Sequence, residues 1–280
     1  MKLLNLGCGS RFHKDWTNID FVSRDKHVTA YDLLKGIPYP DNFFDVVYHS
    51  HLLEHFSKTD APGFIKECYR VLKPGGTIRI AVPDLERIVK TYLEQLELAL
   101  RGNKEAELNY EWIMLEMYDQ TVRNFSGGEM GKLYAQGYAP NADFIYHRVG
   151  IRLIKENEGE GDTITNSRLS ISVKDAAKKL ARKYSKLPTQ LSVKDSLLKL
   201  ILGRDYRFYE VGKFRLSGEV HLRMYDRFSL SRLLNDSNLS EIRVCTPWES
   251  CIPNWTSFHL DTNPDGTVYK PDSVYIEANK

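Results

Sequence analysis

A chain of 280 residues, 42% hydrophobic and 27% charged, is long enough for one large domain or a domain carrying a substantial insertion, and too apolar for wholesale disorder. Its formal net charge of +2 does not call for nucleic acid, and its apolar runs fall far short of a membrane span. The four cysteines, Cys8, Cys68, Cys245 and Cys251, fit neither a disulfide framework nor a zinc spacing, and Gly7, Cys8 and Gly9 interrupt any signal-peptide core, so a reducing cytoplasm is the expected setting.

Short apolar runs alternate with turn and helix signals from the start. Strands are expected at 3–6, 17–21, 28–31 and 44–49, with acids (Asp20, Asp32) at or just past the ends of the second and third. A helix follows over 62–72, stopped by the turn Lys73-Pro74-Gly75-Gly76, and 77–82 makes a fifth strand. After Asp84, an expected N-cap, a helical stripe runs from Leu85 to Leu100 with Gly102 beyond it, and 112–122 continues helically to the break at Ser126-Gly127-Gly128. Further helices are expected at 173–186, 193–202 and 228–234, the last capped by Ser229, with a polar, glycine-dotted loop over 156–166. Strands return at 241–246, 268–269 and 273–278. The expected fold is α/β: a Rossmann-like, mostly parallel sheet with helices on both faces, formed by 1–84 plus 220–280 and interrupted by a mainly helical insertion, 85–219.

The chemistry gathers at the carboxyl ends of the strands, where an open parallel sheet binds its ligands. Gly7 and Gly9 remove side chains after the first strand, so a ligand can approach bare backbone. Asp20 can accept two ribose hydroxyls, and Asp32, or the backbone beside it, an adenine edge. A pyrophosphate cofactor is disfavoured, because the fuller Gly-x-Gly-x-x-Gly pattern would need glycine where Phe12 stands.

Three stretches in order carry a resemblance. Leu3-Leu4-Asn5-Leu6-Gly7-Cys8-Gly9, Pro38-Tyr39-Pro40-Asp41-Asn42-Phe43-Phe44-Asp45-Val46-Val47 and Glu67-Cys68-Tyr69-Arg70-Val71-Leu72-Lys73-Pro74-Gly75-Gly76 resemble the motifs of class I S-adenosylmethionine-dependent methyltransferases. The branch most resembled is methyltransferase type 11, particularly members that modify cell-surface polysaccharides, and Lys270-Pro271-Asp272-Ser273-Val274-Tyr275-Ile276-Glu277-Ala278 is similar to these too. The chain departs from the first motif at Asn5, where an acid is usual, and at Arg11, where a third glycine is usual. The resemblance implies S-adenosylmethionine bound along Asn5, Gly7, Cys8, Gly9, Asp20, Asp32 and Leu33, with His49, Ser50 and the residues after them near the methyl group. It implies O-methylation of a hydroxyl on a sugar or polysaccharide precursor. The alternatives are a small-molecule amine, a natural-product hydroxyl, or a non-catalytic cofactor-binding protein.

A hydroxyl acceptor needs a base, and a largely neutral histidine suits that role. His51 is the first candidate and His55 the second, with Glu54 to orient one of them; Asp84 is an alternative. The same segment, His51-Leu52-Leu53-Glu54-His55, has the inverted zinc-protease spacing, which on a helix would place both histidines on one face; no metal is expected here, and a zinc hydrolase is the minor reading. In the insertion, Asp119, Gln120 and Arg123 lead into Ser126-Gly127-Gly128-Glu129, an expected closing loop over substrate. Trp112, Tyr118, Tyr134, Tyr138, Phe144 and Tyr146 suit sugar stacking or a core equally. Between 174 and 215 there are twelve Lys/Arg against four Asp/Glu, which leaves the rest of the chain at −6. Basic amphipathic helices over 173–202 point to an anionic membrane surface near a lipid-linked glycan, to packing on the chain's own core, or to a homodimer.

Overall fold

β1 (Leu3–Leu6) is buried along its whole length because parallel neighbours flank it on both sides. These are β2 (Thr17–Asp20) and β4 (Phe44–Ser50); β3 (Val28–Ala30) pairs parallel with β2 at the edge. β5 (Leu72–Pro83) extends the parallel set beyond β4, and β7 (Ser273–Asn279) runs antiparallel between β5 and β6 (Ser240–Cys245). The sheet order is β3-β2-β1-β4-β5-β7-β6. The computed structural model describes residues 1–154 and 193–280; the helix expected at 173–186 and the loop expected at 156–166 lie outside the described residues.

One face of the sheet carries α1 (Ala61–Val71) and α8 (Arg227–Asn235), whose Phe64, Ile65, Leu230 and Leu234 pack against Leu4, Val47, Ile78 and Ile276. On the other face Trp16, Tyr48 and Trp255 meet edge-on or tilted with Leu3, Val46 and Leu260, covered by the 252–260 segment and its short 3₁₀ turn. The chain divides into two compact units, 1–88 with 221–280, and 89–220. α2 (Leu85–Leu100) carries the chain from the first into the second.

The second unit contains α3 (Lys104–Val122), α4 (Gly128–Gln136), α5 (Ala142–Val149), α6 (Val193–Leu202) and α7 (Tyr206–Arg215). Trp112, Met130, Tyr134, Ile145 and Val149 form its core, so two of the aromatics open to either role are core residues; Tyr118 and Tyr138 are exposed. Buried Glu116 accepts from Trp112 Nε1 at 3.0 Å and from Arg148 Nε at 3.1 Å, a charge satisfied where it is buried.

Four local expectations change. The 73–76 turn lies within β5: the register with β4 jumps from Phe44↔Leu72 to Val46↔Thr77, a bulge that absorbs the glycines and is pinned by Gly75 N–H donating to Lys280 O. α3 begins eight residues before 112, where the Asn103 side chain accepts from Ala106 N–H. Asp226 caps α8 and Ser229 is its reciprocal partner three residues on, forming a capping box. Val268 and Tyr269 form no strand; Val268 makes an isolated bridge to Thr262 across the 263–267 turn.

Candidate functional site

The chain leaves β1 through a sharp turn in which Gly7 and Gly9 have φ of +62° and +54°, a region that strains any side chain. Cys8 N–H donates to Ile19 O at 3.2 Å, which ties the turn to β2. Asp20, at the end of β2, accepts from Gly9 N–H at 2.7 Å through one oxygen and from Val22 N–H at 3.2 Å through the other. The two glycines then differ. Nothing lies within 4 Å of where a Gly9 Cβ would stand, whereas a Gly7 Cβ would meet Leu52 Cδ1 at 2.7 Å. Gly9 is the open backbone expected of both; Gly7 is bare so that Leu52 can lie across it.

Two other residues of this turn do not line it as expected. Asn5 is 1% exposed and donates through Nδ2 to Arg11 O and Asn18 Oδ1, so it shapes the turn from beneath. Cys8 is buried, and burial together with the nearby Asp20 charge pushes its thiol up to about 12. Asp32 caps the 33–35 turn by accepting from Leu34 N–H at 3.1 Å, with Lys35 Nζ 3.8 Å away. Beside it opens a cleft of about 320 Å³ walled by Leu33, Phe56 and Phe64, with Gly36 and Gly63 among its lining.

Because β2 and β3 lie on one side of β1 and β4 on the other, the direction of winding reverses between β1 and β4, and the crevice of a doubly wound sheet opens there. β4 ends at this crevice. His49, on this strand, is fully buried and edge-on to Phe64 at 5.3 Å, with neither ring nitrogen hydrogen-bonded among the described residues, and burial brings its pKa down to about 3. Ser50, half-buried, is the last residue of β4.

His51 adopts φ +50°, with its N–H held by Ala81 O. Its Nε2 lies 2.7 Å from Ser273 Oγ and its Nδ1 3.4 Å from Glu54 Oε1. Burial, and then the charges of Lys270, His221 and His55, hold its pKa well below the usual histidine value, so the ring is neutral at pH 7. Glu54 is fully buried, and burial lifts its pKa to about 8. The left-handed His51 prevents an α-helix from starting there. Residues 53–55 form a 3₁₀ turn instead, so His51 and His55 do not share the helix face that their spacing suggested. His55 meets His221 edge-on, with ring centroids 4.8 Å apart. Asp84, at the end of β5, accepts from Arg87 N–H at the start of α2, while its own N–H donates to Asp272 O. Ser273, His221 and Leu52 have no local sequence signal; the first two are brought to His51 and Glu54 by the sheet's closing strand and the segment leading to α8.

In the second unit, Asp119 accepts from Glu129 N–H at 2.7 Å, and a Cβ on Gly128 would stand 2.3 Å from its Oδ2. Arg123 is 3.7 Å from Asp119 and 3.2 Å from Glu219, which also accepts from Gly127 N–H. These carboxylates accept from N–H groups at the opening of α4, so Gly128 and Glu129 begin a helix. Gln120 is half-buried on the same helix.

Fold and site together define a doubly wound, Rossmann-like α/β protein with a glycine turn and two acids along one sheet edge. Residues 24–80 match the family model described as methyltransferase domain. A 48-residue stretch is 44% identical to a protein of Aspergillus luteorubrus named a probable methyltransferase, covering 17% of each chain. A 51-residue stretch is 39% identical to a protein of Mycolicibacterium smegmatis named a probable S-adenosylmethionine-dependent methyltransferase, covering 18% of this chain and 19% of that one. The matched stretches thus span less than a fifth of these curated relatives. A solved methyltransferase of Archaeoglobus fulgidus, described as SAM-dependent, aligns over 100% of this chain and 86% of its own at 12% identity, with a TM-score of 0.37. Among the described residues, no helix is long and apolar enough to cross a membrane.

Proposed function

We infer that the chain is an S-adenosylmethionine-dependent methyltransferase that methylates a hydroxyl of a sugar or polysaccharide precursor. The observation that carries the cofactor assignment is the Gly9 N–H closing on the Asp20 carboxylate beside open space, one strand from the β1/β4 switch point. The residues fit an adenosyl group. Asp20 is half-buried, and each of its oxygens keeps a lone pair beyond its backbone bond for a ribose hydroxyl. Leu33, Phe56 and Phe64 offer apolar walls to a base. The family match over 24–80 and both relatives' names support methyl transfer, and the Mycolicibacterium smegmatis relative's name supports the same cofactor.

When bound, the cofactor supplies an electrophilic methyl on a positively charged sulfur. The chain's part is to hold and deprotonate the acceptor. His51 stands at the carboxyl end of β4 as a neutral imidazole able to take a proton at Nε2 once an acceptor hydroxyl displaces Ser273 Oγ. Glu54 faces Nδ1 and orients the ring. His55 and Asp84 are the reserve bases. The hydroxyl of a sugar as acceptor rests on the sequence resemblance, and the helical unit 89–220 is proposed to select it.

Calorimetry with S-adenosylhomocysteine tests the cofactor site. The wild type is expected to bind, and Asp20→Ala to bind about 10–100-fold more weakly. Hydrogen bonds to a charged group contribute about 1.5–3 kcal/mol, and each 1.4 kcal/mol is about tenfold. Asp20→Asn, which keeps an acceptor oxygen but not the charge, is expected to fall between them. An Asp20→Ala protein that binds as tightly as the wild type would refute the ribose assignment, and a wild type that does not bind would refute the cofactor. Labelled methyl transfer onto a panel of sugar, amine and phenol acceptors then identifies the substrate; transfer to the amines alone would refute the hydroxyl.

A further inference from the structure

We propose that Glu54, His55 and His221 form a binding site for one divalent transition-metal ion, of the zinc class. The nitrogen and oxygen ligand atoms of these three residues all lie within 4.8 Å of one another, although His221 comes from a segment far along the chain. That segment is fastened in place: Leu222 N–H and Arg223 N–H both donate to Glu54 O, at 2.8 and 3.2 Å. His221 Nε2 stands 3.9 Å from Glu54 Oε1, and the two imidazoles cross at 86°. Ion–ligand distances of about 2.0–2.2 Å put neighbouring ligand atoms roughly 3.3 Å apart in a tetrahedral site. Side-chain rotations of an ångström or less would close the set.

The second observation is Glu54 itself. Its side chain is 0% exposed, and among the described residues neither carboxylate oxygen receives a hydrogen bond. A carboxylate buried without donors is disfavoured unless something positive meets it. The charges it feels are opposed, Lys270 favouring the carboxylate and Asp272 disfavouring it, so the ligand set decides the occupant. Two imidazoles and one carboxylate suit Zn²⁺ and its first-row neighbours, whereas Mg²⁺ and Ca²⁺ prefer oxygen throughout. His55 is only half-buried and offers the entry path. An ion here would sit beside Glu54 and His51, with coordination positions left for a hydroxyl or water. The site stands apart from the methyl-transfer reading, because metal binding is measured with no cofactor or acceptor present.

The test is calorimetric titration of the full, chelator-stripped chain with Zn²⁺, alongside the visible spectrum with Co²⁺. The expected result is one ion per chain with micromolar or tighter affinity, and a Co²⁺ spectrum of low-coordinate nitrogen and oxygen ligands. Losing a partner behind a metal ligand costs about 10–100-fold in affinity, so removing a ligand in His55→Ala or Glu54→Gln should cost about 100-fold or more. His55→Ala is the main variant, since a half-buried side chain can be removed without emptying the core, and circular dichroism checks both folds. His13→Ala, at a surface histidine 3.8 Å from Asp15, should bind as the wild type does. A wild type that takes up no stoichiometric ion, variants that bind as tightly as it does, or loss of binding in His13→Ala would each overturn the proposal. Calorimetry with S-adenosylhomocysteine separately reports on the cofactor site.

Discussion

Arg79→Met is expected to destabilise the sheet unit by about 3–5 kcal/mol, the cost of removing one partner from a buried ion pair. Arg79 lies on β5 with no exposed surface. Its Nε donates to Asp261 at 2.8 Å, and its terminal nitrogens to Glu277 and Glu249 O at 2.8 Å and to Thr246 O at 3.0 Å, while its guanidinium lies 4.5 Å from the Trp255 ring centre. Methionine fills similar volume but takes the charged partner from two buried carboxylates, Asp261 and Glu277. Burial pushes Glu277 up, yet hydrogen bonds from Cys251, Ser250, Arg243 and Arg79 outweigh it and hold the group below its usual value. A depressed carboxylate stabilises the fold above its unfolded pKa, and that contribution is lost as pH falls through the folded one. Removing Arg79 takes away part of this contribution, so the gap between variant and wild type should narrow as pH falls below about 4.5 and on through the folded value of Glu277. Thermal unfolding at pH 7 and at acid pH measures both points. At neutral pH the melting temperature should fall by roughly 10 °C. A loss of 2 °C or less would show that the Arg79 network does not stabilise the fold.

That network also marks the limit of what the sequence reveals. Leu3–Leu6, Phe44–Ser50 and Ser273–Asn279 are legible because burial on both faces favours strands rich in apolar and β-branched residues. The Gly7–Gly9 turn is legible because its left-handed backbone favours glycine. Arg79, by contrast, sits in such a run as an apparent interruption, and its partners stand near the far end of the chain. The His51–His55 segment shows a different failure. Its spacing is informative only if the segment is an α-helix, and one left-handed residue cancels that premise. The pairing that forms joins Glu54 and His55 to His221, which no local pattern predicts. Asp119 and Arg123 fall on a helical spacing that fits a substrate contact or a solvated helix end equally, and the spacing does not reveal that Asp119 accepts from Glu129 N–H at the opening of α4.

For turnover, the decisive substitution is His51→Asn. Alanine at this position would lose the imidazole and also strain the φ of +50°, so a fall in activity would have two causes. Asparagine tolerates the left-handed region but cannot take a proton, which isolates the chemistry. If His51 removes the acceptor proton, kcat should drop about 100–10,000-fold, the usual contribution of a positioned base. S-adenosylhomocysteine affinity should stay within about twofold, because none of the cofactor contacts proposed for Gly9, Asp20 or Asp32 involves the imidazole. Ser273→Ala refines the reading. It removes the 2.7 Å partner of Nε2 without removing the base, and should cost far less in kcat than His51→Asn. Equal losses in the two variants would mean that the hydrogen bond, and not proton transfer, is what turnover needs. Full turnover in His51→Asn would move the base to His55 or Asp84, or show that the acceptor gives up its proton unaided.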